Sequence, residues 1–169
     1  MKTSALVIAL LVMLTVPSAG LAQSPQQAMQ AIQQSHIDGN VPDANDFATV
    51  LKRDLAEYFG QTQGKPVQVQ YELLRKVATQ SGVSYPKYYA WVRVYDKDKL
   101  LSEGAVRLAA IDKTHFDVTD YFSSEGIAKD PDMIKRVFPA LLCPEILRRA
   151  GVKVPSLTAL LDLNVIQRP

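Results

Sequence analysis

The chain has 169 residues, of which 19 are basic, 17 are acidic and 47% are hydrophobic. A chain of this length and composition is long enough to form one domain that buries a core without disulfides or metals. The near balance of charge excludes the basic footprint of a nucleic-acid-binding protein. Cys143 is the single cysteine, so no intramolecular disulfide can form and stability has to come from packing.

Residues 1–22 have the layout of a cleavable secretory signal peptide. Lys2 supplies a positive start, and an apolar run from Ala5 to Val16 is followed by small residues. That run is shorter than the ~20 apolar residues of a membrane-spanning helix. We therefore expect cleavage after Ala22, or after Gly20 as the second choice, rather than a membrane anchor. The mature chain is predicted to be nearly neutral, periplasmic or secreted, and without a membrane span.

Residues 23–44 form a Gln-rich leader or linker ahead of the predicted domain. Ser24–Gln27 has the pattern of a capping box with proline at the first helical position, which favours a short helix to about Gln34. Gln-rich segments are equally typical of a disordered leader, and both interpretations stay open. Gly39 and Pro42 then separate this segment from the predicted domain.

A single α+β domain is predicted over residues 45–169, and its first element is a helix over Asp46–Phe59. Asp43, Asn45 and Asp46 supply capping oxygens at the start of the helix, and Gly60 is its expected end. Apolar residues recur at spacings of three and four on one face, which is the pattern of a helix that packs on a core. That stripe consists of Phe47, Val50, Leu51, Leu55, Tyr58 and Phe59.

The stretch from Lys65 to Phe122 alternates polar and apolar residues at the period of two that a half-buried strand requires. It predicts four strands, at Pro66–Leu73, Tyr88–Tyr95, Glu103–Ile111 and from His115 onward. Short connections force neighbouring strands to be antiparallel, so the strands form a meander with one apolar face. The residues predicted to face inward are Val67, Val69, Tyr71, Leu73, Tyr88, Ala90, Val92, Val94, Val106, Leu108, Ala110, Phe116 and Val118.

The opposite face of the second strand carries the candidate binding residues Tyr89, Trp91, Arg93 and Tyr95. Aromatic and arginine side chains are common anchors of protein interfaces. The alternative is that the C-terminal helices cover this face, because an exposed patch of this size is unusual in a monomer. We expect Trp91 to be covered while Tyr89 and Tyr95 reach the surface. Flanking residues on this face are Gln70, Glu72 and Arg107.

The C-terminal region is predicted to be helical. Asp130–Pro131 opens one helix, Pro139 kinks or ends it, and Pro144 starts another that stops at Gly151. Residues 156–163 form a last short apolar helix or a hairpin-like tail. The apolar stripe of the first of these helices consists of Ile134, Val137, Phe138 and Leu141.

His115 and Asp117 lie two apart on the fourth strand, so both project from one face, near Asp112. A histidine beside a carboxylate can perform acid–base work, because its pKa lies near neutrality. An ordinary solvated sheet face gives the same pattern, and the register points the pair outward. We therefore predict no catalytic residues.

Cys143 lies in an apolar run, where a buried and inert thiol is the usual outcome. A thiol triad with His115 and Asp117 has no local signature to support it. His36 is far from His115 in the sequence, and the scattered carboxylates lack the spacing of metal ligands. The sequence predicts neither a metal site nor a cofactor.

The order of a helix, a four-strand meander and a further helix resembles the cystatin-like α-β(4) architecture, which includes the nuclear-transport-factor-like cones. The resemblance covers Asp46 to Phe122 and concerns element order only. The Gln-x-Val-x-Gly inhibitor loop of cystatins is absent, since Gln68–Gln70 lacks both its spacing and its glycine. The resemblance implies a fold, whereas function has to be argued from a site.

The hypothesis from the sequence is an exported, non-enzymatic binding or assembly module whose partner is an unknown protein or small ligand. The alternative is a small-ligand-binding or enzymatic cone of the nuclear-transport-factor-like type. A ligand-binding cone needs inward polar groups among apolar ones. The inward positions of this chain are almost wholly apolar, which favours a filled core.

Overall fold

Two helices, a four-stranded antiparallel sheet and shorter C-terminal helices follow one another between residues 24 and 153, the part of the chain that the computed structural model describes. The predicted signal peptide at 1–22 and the predicted element at 156–163 lie outside the described residues. The elements are α1 Pro25–Asn40, α2 Ala44–Gln63, β1 Gln68–Leu73, β2 Lys87–Asp96, β3 Lys99–Asp112, β4 His115–Ser123, α3 Ser124–Lys129 and α4 Cys143–Arg149, with a 3-10 turn at Met133–Arg136. The predicted α+β class is confirmed.

Helix α1 begins at the predicted capping box. The Gln27 backbone N–H donates to the Ser24 hydroxyl at 3.2 Å, and the Ser24 N–H donates to the Gln27 side chain at 2.9 Å. The helix continues past the predicted end at Gln34 and passes through Gly39 to Asn40. None of its residues is buried, because its few apolar side chains do not form a continuous stripe.

Helix α2 is longer than predicted at both ends, and the predicted stop at Gly60 is wrong. One glycine inside a long helix costs only about 1 kcal/mol relative to alanine, so the helix runs through Gly60. It ends at Gly64, which has a left-handed φ of 67° that favours glycine. Leu51, Leu55 and Phe59 of the predicted stripe are fully buried against the sheet.

The four strands are hydrogen-bonded in the order β1-β2-β3-β4, all antiparallel, as predicted. Strand β3 begins at Lys99, earlier than the predicted Glu103, because the hairpin is tight. Asp96 pairs with Lys99, and Lys97 between them has a left-handed φ of 54°. Lys97 and Asp98 alone connect the two strands, which is the two-residue connection of a tight hairpin.

The inner face of the sheet packs on α2, and the residues in its core are ones predicted to face inward. The aromatic rings interlock edge to face, with Phe47 at 4.9 Å from Tyr88 and 5.3 Å from Phe116 between ring centres. This geometry is a favoured one for buried aromatic pairs. The fully packed inner residues of the sheet are Val69, Tyr88, Ala90, Val92, Val94, Val106, Leu108, Ala110 and Phe116.

The outer face is covered by the C-terminal elements, so it forms a second core. Trp91 is 2% exposed and Tyr89 is 4% exposed. The prediction that Trp91 is covered is confirmed, whereas the prediction that Tyr89 reaches the surface is wrong. The cover extends further than expected, since the Phe138 ring centre lies 5.8 Å from that of Tyr89. The covering residues are Ile127, Ile134, Phe138, Cys143 and Ile146.

The C-terminal helices differ from the prediction in their boundaries. Helix α3 starts at Ser124, where the Ser123 hydroxyl accepts the Gly126 N–H at 3.1 Å. Only a 3-10 turn follows Asp130–Pro131, so the α-helix predicted there is wrong. Leu141, predicted to belong to its apolar stripe, is 93% exposed. Helix α4 does start at Cys143–Pro144 as predicted.

Candidate functional site

The four residues predicted as a binding face are divided between the core and the surface. Tyr89 and Trp91 support the C-terminal cover, whereas Arg93 is exposed and Tyr95 is partly buried. The Arg93 Nε lies 3.3 Å from a Glu103 carboxylate oxygen. In this arrangement only Arg93 and Tyr95 can touch a partner directly. The binding role of the four residues stays a prediction.

A shallow cavity of about 250 Å³ lies next to Arg93 and is lined by residues 70–72 of β1 and by Trp91 and Arg93 of β2. Its acidic residue, Glu72, is held by Arg149 through two hydrogen bonds of 2.8 and 2.6 Å. These bonds lower the pKa of Glu72. Arg149 also donates to Glu145 at 2.6 Å, and the hydrogen bonds from Arg148 and Arg149 lower the pKa of Glu145 to about 2. The charges at this cavity therefore serve to fasten α4 to β1.

A second cluster lies where α2 meets the start of β4, and Asp54 is at its centre. Its side chain is 2% exposed, accepts the Phe116 backbone N–H at 2.7 Å and accepts Arg53 Nε at 2.8 Å. His115 Nδ1 lies 3.4 Å from Asp54, and His115 Nε2 lies 2.8 Å from Asp117. The sequence predicted the His115–Asp117 pair but missed Asp54. The signal was a lone acid between the buried stripe residues of α2.

This cluster consists of contacts between α2 and the start of β4. His115 Nε2 is hydrogen-bonded to Asp117, whereas Nδ1 only faces the Asp54 carboxylate, and the side chain is 45% exposed. A cavity of about 250 Å³ adjoins the cluster, and no Ser, Thr or Cys lines it to act as a nucleophile. Among residues 24–153, no three His, Cys, Asp or Glu side chains are arranged to hold a metal ion. The arrangement instead fixes the beginning of β4 on α2.

Cys143 belongs to the outer core and takes no part in the His115 cluster. Its Sγ lies 3.6 Å from the Pro139 carbonyl oxygen and 3.9 Å from that of Phe138. Burial raises the pKa of the thiol, which lowers its thiolate fraction and hence its reactivity. The expectation of a buried cysteine is confirmed, and the thiol triad does not assemble.

The outer edge of β1 carries main-chain groups that the sheet itself leaves without hydrogen bonds. The Leu74 N–H donates to Tyr89 O on β2 at 2.9 Å, and residues of an antiparallel strand alternate in the side to which their main-chain groups point. Val69, Tyr71 and Leu73 therefore point their N–H and C=O groups away from the sheet. Within residues 24–153, no group makes a hydrogen bond to these outward main-chain groups. We call this row the free edge of β1.

A groove of about 440 Å³ runs beside the free edge, between β1 and α2. Lys52 and Ala56 line it on the helix, and residues 67–70 line it on the strand. Tyr95 closes one end, together with the β2–β3 turn. A strand added to β1 would place alternate side chains in this groove.

No helix described between residues 24 and 153 is long and apolar enough to cross a bilayer. Comparison with protein-family models, curated proteins and solved structures found no match for this chain.

Proposed function

We propose that the chain is an exported, non-enzymatic binding or assembly module that receives a protein strand at the free edge of β1. The observation that carries this proposal is the row of main-chain groups at Val69, Tyr71 and Leu73, which have no hydrogen-bond partner among residues 24–153. Strand addition satisfies such groups, and affinity comes from the main chain while alternate side-chain pockets give specificity. Arg93 and Tyr95 lie on β2, one strand away from the free edge, opposite Gln70 and Gln68 of β1.

The alternative of a ligand-binding or enzymatic cone finds less support. A cone needs space between α2 and the sheet, and Leu51, Leu55 and Phe59 fill that position. Asp54 is the one charged side chain buried among residues 24–153, and its carboxylate is already bonded to Phe116 and Arg53. The order of α2 and the four-strand meander still favours a cystatin-like fold, which we carry as a proposal about architecture alone.

Photo-crosslinking tests the strand-binding proposal. A photoreactive amino acid in place of Gln70 stands on β1, with its side chain exposed beside the free edge. The matched control replaces Asp117, which is also exposed but stands on β4. In the exported compartment, we expect a discrete protein adduct from position 70 and none from position 117. No adduct from position 70, or equal adducts from both, would refute strand binding at β1.

Export is tested separately by the intact mass of protein recovered from outside the cytoplasm. We expect a chain that starts at Gln23, or at Leu21 if cleavage follows Gly20. A recovered mass that still includes residues 1–22 would contradict the export half of the proposal.

A further inference from the structure

We propose that the occupant of the free edge of β1 is β1 of a second copy of this chain. This inference rests on the proposed function and names the partner of the same site. Two copies related by a twofold axis present the same surface to each other, so the edge has to be self-complementary. The six residues of β1, Gln68–Leu73, meet that condition in one register.

The register is antiparallel and centred on Gln70. Gln70 then faces Gln70 of the second copy, Val69 faces its Tyr71, and Gln68 faces its Glu72. Polar residues meet polar residues on the outer side, and apolar residues meet apolar residues on the inner side. A shift by one residue would turn apolar side chains onto the polar face, so register is strongly specified here.

The main chain agrees with the same register. Val69 and Tyr71 are residues whose N–H and C=O groups point to the free edge, so they form a pair that exchanges both hydrogen bonds. Gln70 points its main-chain groups to β2 and therefore forms the closer, non-hydrogen-bonded pair at the twofold axis. The edge groups left without partners in one copy are thus satisfied by the other.

The groove beside β1 supplies the apolar part of the contact. On the inner side, Tyr71 of the second copy lies beside Val69, and its Leu73 lies beside Val67. This is the side on which Ala56 of α2 borders the groove of about 440 Å³. The second copy therefore brings apolar side chains to the space that the first leaves open, and burial of that surface drives association.

The charges of β1 allow this pairing without repulsion. The strand carries one charged residue, Glu72, which Arg149 already holds at 2.6 and 2.8 Å. Opposite it in the second copy stands Gln68, whose amide can donate to a carboxylate oxygen. No two like charges are directly opposite, a condition that cross-strand pairs require for stability.

Disulfide trapping tests the register. The full exported chain carries Gln70→Cys in a Cys143→Ala background, and the matched control carries Gln68→Cys instead. In the proposed register the Cα atoms at position 70 are about 4.5 Å apart, within the range of about 4.4–6.8 Å that a disulfide spans. Those at position 68 are separated by four residues, or about 13 Å along the strand. We expect a covalent dimer from the first variant and none from the control.

Sedimentation over a range of concentrations tests the association itself. Gln70→Glu places two carboxylates opposite each other at the twofold axis, and we expect dimerisation to weaken by roughly two- to fivefold. Gln68→Lys places a cation opposite Glu72 of the second copy and is expected to strengthen it by a similar factor. Opposite effects of these two substitutions are specific to the Gln70-centred register.

Failure of this inference is distinguishable from failure of the proposed function. A chain that stays monomeric, or that forms disulfides equally from positions 68 and 70, overturns self-pairing. So does a monomer whose β1 amides are protected by its own termini. If the photo-crosslink at position 70 then still gives an adduct of a mass other than two chains, strand binding stands with a different partner. If it gives none, both proposals fail.

Discussion

The two edge strands of the sheet, β1 and β4, differ in which groups bond their outward main-chain atoms. At the start of β4, Asp54 accepts the outward N–H of Phe116, and Arg53 donates to the carbonyl oxygen of Thr114 in the preceding turn. Pairing of β4 with β3 is also interrupted near Arg107 by a register shift, which bends the edge. Strand β1 pairs with β2 in an unbroken register, and no described residue guards its outer side.

This contrast is the basis of our proposal that a strand binds at β1. Exposed sheet edges invite pairing, and proteins blunt them with bulges, inward charges or cover. Within the part of the chain that the structure describes, a register shift and the inward charge of Asp54 occur at β4, and neither device occurs at β1. Burying a carboxylate such as Asp54 costs free energy unless hydrogen bonds compensate for the lost hydration. The chain carries this cost at β4, where Asp54 bonds an outward N–H, and has no equivalent residue at β1 among residues 24–153.

The largest expected loss of stability comes from removing Trp91, which packs against the C-terminal elements on the outer face of the sheet. Trp91 faces Glu72 across the β1–β2 ladder and lies in the outer core. Trp91→Ala should lower the free energy of unfolding by ~3–5 kcal/mol, measured by circular dichroism in urea. The matched variant Tyr95→Ala, at the partly exposed end of the strand, should cost less than about 1 kcal/mol. Equal losses would contradict the division of this face into core and surface.

Removing the Asp54 carboxylate that bonds β4 should cause the next largest loss of stability. Asp54→Ala leaves the Phe116 N–H without its acceptor, and we expect a loss of about 2–3 kcal/mol in the free energy of unfolding. Glu57→Ala is the control, because Glu57 is an exposed acid on the same helix and its removal should cost no more than about half a kcal/mol. A cost for Asp54→Ala no larger than that of the control would mean that β4 is not held in this way.

Acid should loosen the attachment of α4 to β1 by a smaller amount. Arg148 and Arg149 lower the pKa of Glu145 from 4.5 to about 2, and Arg149 lowers that of Glu72. A carboxylate with a lowered pKa stabilises the fold above its unfolded pKa, and this contribution is lost as the pH falls through the folded value. Unfolding measured between pH 5 and about pH 2 should therefore show declining stability. Arg149→Met should flatten that decline, and an unchanged profile would contradict the proposed attachment.

The smallest effect is expected from a charge beside the free edge in the dilute, isolated chain. Gln70 lies opposite Arg93 on β2, so Gln70→Glu should change the free energy of unfolding by no more than about half a kcal/mol. Urea titration at low protein concentration measures this. A large loss would mean that position 70 serves the fold, and that its variants do not report on the edge alone.

The sequence predicts the sheet better than the elements around it. Alternation with a period of two assigns Val92 and Val94 to one face and Trp91 to the other, because strand geometry leaves no third choice. The same reasoning could not decide whether Tyr89 is covered, since that depends on how far Phe138 reaches across the sheet. The prediction that α2 ends at Gly60 failed because a long helix tolerates one internal glycine. Gly64 is the actual end of the helix, since its left-handed φ favours glycine.

The candidate site was predicted less well, for physical reasons. In the sequence, Asp54 looks like any acidic residue of a surface helix. Its role depends on the Phe116 N–H, which is distant in the sequence and reaches Asp54 only in the folded chain. Whether the edge of β1 is free depends on whether distant parts of the chain pack against it. A local sequence pattern carries no information about such packing. The alternation of Val69 and Tyr71 does indicate the strand, but only the register with β2 says which main-chain groups point outward.

Amide hydrogen exchange in the dilute monomer tests the central claim most directly, because it compares the two edges in one molecule. The Phe116 amide, bonded to Asp54, should exchange slowly, whereas the outward amides of Val69 and Tyr71 should exchange much faster. The inward amide of Gln70, bonded within the sheet, is the internal reference for β1. Fast exchange at Val69 and Tyr71 with slow exchange at Gln70 and Phe116 is the predicted result. Slow exchange at Val69 and Tyr71 in the monomer would contradict a free edge at β1.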